Sequence, residues 1–164
     1  GQVASGIFLA SLSIGVGMAI AGKYRKKSYN TYVILGDGEI QEGIIWEAAM
    51  CAKRYQLNNL IVFVDHNGWQ SGGQVEEISG LLPILPKWEA FGWHCQAIDG
   101  HDFAQIITAI ENARKTPGPS VIIAKTVKGK GLPYMENDNS WHKRVPTDEE
   151  LAVAVELLGG NADA

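Results

Sequence analysis

The sequence predicts an α/β fold, a parallel sheet with helices on both faces. Three observations point to it. The runs TYVILG (Thr31–Gly36) and NLIVFVD (ending at Asp65) are apolar almost throughout rather than alternating, the signature of strands buried on both faces. Segments with apolar residues at helical spacing separate these runs. Strand and helix then alternate along the chain without repeats or a low-complexity linker, the order that crossover-connected parallel strands require.

Each element follows in turn. A helix is predicted over Ser11–Arg25, with Gly15, Gly17, Ala19 and Ala21 letting it lie close to other backbone. The first 22 residues carry no charge and precede the basic run KYRKK (Lys23–Lys27). That is the length and flank of a membrane span. The Gly- and Ser-rich composition disfavours an isolated helix and predicts a packed one instead, with no membrane contact. A first strand covers Thr31–Gly36. A second helix spans Gly43–Tyr55, with Trp46, Ala49, Met50 and Lys53 at helical spacing. The second strand is Leu60–Asp65, followed by a loop containing GWQSGG. A short helix over Leu85–Phe91 leads to a third strand, WHCQAID. The amphipathic stretch HDFAQIITAIENARK is a helix begun by Asp102 or its neighbour. PSVIIAKTV is the fourth strand. From Lys128 the chain is a loop, then a last helix over Thr147–Leu158, with Glu149 and Glu150 placed for a capping box.

Composition narrows the function classes. Residues 1–164 suffice for one domain with its own core. A net charge of -4 gives no electrostatic footprint for nucleic acid. Two cysteines, Cys51 and Cys95, make neither a disulfide framework nor a four-ligand zinc site. They read as buried thiols in a reducing, cytoplasmic setting.

In open parallel sheets, ligands bind beyond the carboxyl ends of the strands. Asp37 follows the first strand and Asn67 the second, thirty positions apart, about one strand–helix–strand crossover. On adjacent strands their side chains meet at one rim. A carboxylate, an amide oxygen and a nearby carbonyl form a hard, all-oxygen partial shell that suits Mg²⁺ completed by phosphate and water. Gly36 and Gly38 flank Asp37 and allow close backbone approach to a ligand. The helix that follows directs its N-terminal amides toward phosphate. The bland reading of GDG alone is a turn; GDGE together with DHN at this spacing is the stronger signal.

The run YVILGDGEIQEGIIWEAAMCAKRYQLNNLIVFVDHNGWQ resembles the thiamine-diphosphate motif of transketolases, in particular the N-terminal subunit of two-chain transketolases. SIGVGMAIAGKY, GWHCQAIDGHD and KTVKGKGLPYMENDNSWHKRVPTDEEL are similar to the same family, so the resemblance covers nearly the whole chain. It implies the thiamine-diphosphate-binding fold, specifically its diphosphate-binding domain. It implies that Asp37, Asn67 and the Trp69 carbonyl hold Mg²⁺, or another divalent cation such as Ca²⁺ or Mn²⁺. Gly6, Ile7, Phe8, Gly36, Gly38 and Glu39 fall on cofactor-side positions. Glu42 and Glu47 match acidic residues between the two cofactors of a dimer, and His142 a histidine contacting diphosphate and substrate.

The sequence also departs from the family pattern. The glycine-rich turn, usually close to GSLGQG, reads GIFLAS. Trp69 replaces an aliphatic residue, QSGG replaces a pattern ending in IDG, and Lys143 follows His142 where glycine is usual. The family's early SGHPGG segment is absent from these residues.

Thiamine chemistry needs a glutamate against the aminopyrimidine, which the family carries on its pyrimidine-binding domain. The resemblance therefore implies a C-terminal transketolase-like partner subunit, in a heterotetramer of two subunits of each kind. The implied activity is transfer of a two-carbon ketol unit between sugar phosphates. Two alternatives stand beside it: a diverged carboligase with an acyl or pyruvate-derived donor, and a non-catalytic partner subunit. Outside the motif, His101 reads as a turn residue, His66 and His94 as structural, and Trp46 and Trp88 as core; KGKG (Lys128–Gly131) reads equally as a phosphate contact or as a basic loop.

Overall fold

A computed structural model describes residues 10–159. Its centre is a four-stranded parallel sheet of β1 (Thr31–Gly36), β2 (Leu60–His66), β5 (His94–Asp99) and β6 (Ser120–Lys125), ordered β1-β2-β6-β5. The predicted strands all form. The register sets Gly36 beside Asp65, and Asp65 beside Ala124. The ends of β1, β2 and β6 therefore lie level along one rim.

One face of the sheet carries the larger core. Helix α1 (Ser11–Tyr24) buries Leu12, Val16 and Ala19 there. It lies so close to β1 that a Cβ on Gly15 would come within 2.3 Å of Val33 Cγ2. This is the close approach that the small residues predict. Helix α2 (Gly43–Arg54) adds Ile45, Ala48, Ala49 and Ala52 to the same core. Helix α4 (Ile84–Ala90) brings Trp88, whose ring centroid lies 5.1 Å from that of Trp46 and 4.9 Å from that of Trp93. Trp93 Nε1 donates to the Ala49 carbonyl at 3.0 Å. Cys95 lies against this core, and burial, with the charge of Glu89, pushes its thiol up to about 12. It is an inert thiol at neutral pH.

The opposite face is covered by α5 (Phe103–Ala113), where Ala109 and Ala113 pack with Ile61 and Ile122. Asp102 caps this helix, its Oδ1 accepting from the Ala104 and Gln105 amides. Strand β1 differs from the sequence expectation. It alternates buried and exposed, with Tyr32 and Ile34 open on this second face. The helix covering that face packs on β5 and β6, at the opposite edge of the sheet from β1, with β2 and β6 lying between β1 and β5.

Two small elements are new. The GWQSGG segment folds as a hairpin of β3 (Trp69–Gln70) and β4 (Gly73–Gln74), and a short α3 (Val75–Ser79) follows. The last helix, α6 (Asp148–Leu157), begins with the expected capping box: Thr147 Oγ1 accepts from the Glu150 amide at 3.3 Å, and Glu150 Oε2 accepts from the Thr147 amide at 2.9 Å. Thr147→Ala is expected to cost about 1 kcal/mol of local helix stability. Faster hydrogen exchange at the first turn of α6 is the readout, and unchanged exchange there would rule the cap out. Among the described residues, no helix is long and apolar enough to cross a membrane.

Candidate functional site

The site is built where β1 and β2 end. Asp37 leaves β1 with its backbone tied to β2, its N–H donating to the Asp65 carbonyl at 3.2 Å. Its side chain is 1% exposed. Oδ1 accepts from the Gly38 amide at 2.8 Å and Oδ2 from the Gly68 amide at 2.6 Å, with His66 Nδ1 at 3.2 Å from Oδ2. Gly68 sits at φ +81, which a β-carbon disfavours. That conformation turns its amide onto the carboxylate. The Asp37 loop and the Asn67 loop are thus one unit, as their spacing predicts.

Asn67 Oδ1 accepts from the Trp69 amide at 2.9 Å, and its Nδ2 donates to Asp65 Oδ2 at 3.1 Å. Thr126, just past β6, donates its hydroxyl to Asp65 Oδ1. The donor chemistry fits a hard divalent cation. A carboxylate offers about four lone-pair sites and an amide oxygen two. Three contacts to Asp37 and one to Asn67 leave each residue an acceptor site for a cation. Among the described residues no three His, Cys, Asp or Glu side chains gather into a metal cluster. For a cation the side chains would offer one carboxylate and one amide oxygen, leaving the rest of a six-oxygen shell to backbone carbonyl, phosphate and water.

The other expected residues divide. Gly36 is uncrowded, and Gln70 covers the Cα of Gly38. The Glu39 carboxylate accepts from Ser11 Oγ at 2.5 Å and from the Gly36 amide at 3.3 Å. It joins the start of α1 to the end of β1. Glu42 is the N-cap residue of α2 and contributes no side-chain cap there. It and Glu47 are exposed. Trp69 lies in β3, against a 3₁₀ turn over Asn139–His142. His142 closes that turn. Gly6, Ile7 and Phe8 lie outside the described residues.

Lys128 Nζ donates to His142 Nδ1 at 3.3 Å, leaving Nε2 to carry the proton of the neutral ring. Burial lowers the His142 pKa below its ordinary value, and the charges of Lys128 and Lys143 lower it further. The unfolded chain binds this proton more readily than the folded one. The resulting contribution to stability is complete above about pH 6.5 and is lost as pH falls through the folded pKa. Lys128→Ala is expected to raise the His142 pKa in an imidazole NMR titration; an unmoved midpoint would remove Lys128 as a cause.

Sequence reasoning missed Asp65, His66, Gly68 and Thr126 as site residues; it marked Lys128 as a candidate phosphate contact, but not as a neighbour of His142. The DHNG string holds three of them, but their partners depend on strand order. His101 sits in the expected turn and also accepts the Val127 amide at Nε2, 2.8 Å away.

Residues 2–164 match the family described as transketolase, thiamine diphosphate binding domain. The chain is 42% identical over 155 residues to an apulose-4-phosphate transketolase subunit of Phocaeicola vulgatus, covering 94% of this chain and 55% of that protein. It is 44% identical over 147 residues to a 6-deoxy-6-sulfo-D-fructose transketolase subunit of a Clostridium species, covering 89% and 54%. The crystal structure of transketolase from Campylobacter jejuni superposes with a TM-score of 0.92 at 30% identity, over 99% of this chain and 27% of that one. The chain thus spans about half the length of these two curated relatives. Its sequence, its sheet and the level strand ends agree: the chain belongs to the transketolase family, in its thiamine diphosphate binding domain.

Proposed function

We propose that this chain forms the diphosphate-binding part of a thiamine-diphosphate-dependent, two-chain transketolase that moves a two-carbon ketol unit between sugar phosphates. The observation that carries this reading is the Asp37–Asn67 pair, held at adjacent strand ends by the Gly68 and Trp69 amides. In this reading residues 1–164 act as one domain. Asp37, Asn67 and the Trp69 carbonyl hold Mg²⁺, with Ca²⁺ or Mn²⁺ as substitutes. When bound, thiamine diphosphate supplies the carbon nucleophile that carries the two-carbon unit.

The remaining roles belong to the chain. Gly6, Ile7, Phe8, Gly36 and Gly38 line the cofactor's side. Glu39 shapes that loop through Ser11 and Gly36. His142, neutral and with Nε2 as its donor, can bind a diphosphate oxygen or hold a proton at a sugar hydroxyl. Glu42, the N-cap residue of α2, and Glu47 within that helix, both exposed, are the proposed link to a second copy of the site. The partner is a C-terminal transketolase-like subunit bringing the pyrimidine-binding domain and its glutamate, in a heterotetramer. The two free cysteines accord with a cytoplasmic location.

Isothermal titration of the assembled complex tests the reading. Thiamine diphosphate binding that requires Mg²⁺ and disappears with chelator is expected; its absence would overturn the proposal. Two relatives are named for apulose 4-phosphate and 6-deoxy-6-sulfo-D-fructose, so both belong in the donor panel with xylulose 5-phosphate. Pyruvate as the only active donor would favour the carboligase alternative.

A further inference from the structure

We propose that Asp65 and Thr126 are positioning residues that fix which atom of the Asn67 amide faces the cation. The inference rests on the cation-binding reading above. An amide side chain has a donor end and an acceptor end of nearly the same shape, and a half-turn about its last bond exchanges them. As a cation ligand only the oxygen serves. Asn67 therefore needs its orientation set before the cation arrives.

Two contacts set it. The Asn67 Nδ2 group donates to Asp65 Oδ2 at 3.1 Å, and Oδ1 accepts from the Trp69 amide at 2.9 Å. In the flipped amide, NH₂ would meet the Trp69 N–H, donor against donor. The oxygen would meet the Asp65 carboxylate, acceptor against acceptor. Both contacts reject the wrong orientation, and only Asp65 does so with a full charge.

Asp65 is itself held. Thr126 Oγ1 donates to its Oδ1, and the Thr126 amide donates to the His66 carbonyl at 3.1 Å. This brace comes from the neighbouring strand, since β6 pairs directly with β2. The backbone of Asp65 also reaches the other proposed ligand: its carbonyl accepts the Asp37 amide at 3.2 Å. One residue thus joins Asp37 through its main chain and Asn67 through its side chain. Its carboxylate also places a second negative charge beside the site without being one of the proposed ligands, which favours cation binding.

Three variants separate orientation from charge. Asp65→Ala removes both. Asp65→Asn keeps an oxygen for Asn67 Nδ2 and a polar partner for the Thr126 hydroxyl, but no charge. Thr126→Val keeps the shape and removes the brace. The readout is Mn²⁺ affinity, by electron paramagnetic resonance of the free ion, for the assembled complex with thiamine diphosphate. Thermal melting of each variant is measured alongside. Loss of an outer contact to a metal ligand weakens affinity by about 10- to 100-fold, and that loss is expected for Asp65→Ala. Asp65→Asn is expected to recover most of the affinity and Thr126→Val to fall between Asp65→Ala and the unaltered protein.

Equal Mn²⁺ affinity in Asp65→Ala and the unaltered protein overturns the inference, as does a loss that Asp65→Asn fails to reduce. Asn67→Ala is the control for the reading beneath it. If Asn67→Ala weakens Mn²⁺ binding and Asp65→Ala does not, only the positioning role falls. If Asn67→Ala leaves binding unchanged, the cation-site reading falls, and the positioning role with it.

Discussion

Asp37→Asn is expected to weaken Mg²⁺-dependent binding of thiamine diphosphate to the assembled protein by more than about 100-fold. Asp37 is the one charged side chain among the proposed ligands. Without it, cation and diphosphate meet only neutral protein donors, and even the loss of outer-shell partners costs about 10- to 100-fold. Asparagine is the informative replacement because it nearly keeps the shape. The carboxylate is buried against the Gly38 and Gly68 amides. Asp37→Ala would leave those donors unpaired, at roughly 1–3 kcal/mol for each buried group. Asp37→Asn retains one acceptor oxygen and so limits that cost. Titration calorimetry reads the affinity, and circular dichroism checks the fold. Unchanged affinity in a folded variant would remove Asp37 from the site.

The second large effect is on stability. Trp88 is fully buried between Trp46 and Trp93, so Trp88→Ala is expected to cost about 3–5 kcal/mol through lost contacts and the cavity left behind. Phenylalanine replacements sharpen the test. Among the described residues the Trp88 Nε1 group has no acceptor, whereas that of Trp93 donates to the Ala49 carbonyl. Trp88→Phe removes an unpaired polar group from the core; Trp93→Phe takes a donor away from that carbonyl. Denaturant midpoints should therefore rank Trp93→Phe below Trp88→Phe. The reverse order would contradict this account of the aromatic cluster.

Much of this was legible in the sequence because it rests on local pattern. The apolar run Thr31–Gly36 ends where β1 ends, and Asp102 and Thr147 cap the helices they precede. The Asp37–Asn67 unit was legible because one crossover separates neighbouring parallel strands, which is a matter of counting. What failed to show was short or non-local. Helix α3 has five residues and the hairpin strands two each, too few to display a period. Tyr32 and Ile34 read as buried because apolarity does not reveal which stretch of the sheet a helix covers. The Asp65–Thr126 brace joins residues far apart in the chain. It exists because β6 inserts between β2 and β5, an ordering that no periodicity encodes. His66 likewise looked structural until the strand ends placed its ring beside Asp37.

The most direct test of the central claim is an anomalous-scattering crystal structure of the assembled protein with thiamine diphosphate and Mn²⁺. The account predicts one manganese peak in direct contact with an Asp37 carboxylate oxygen, Asn67 Oδ1 and the Trp69 carbonyl, its remaining ligands drawn from diphosphate and water. A peak bound to the diphosphate that touches neither Asp37 nor Asn67 would contradict it.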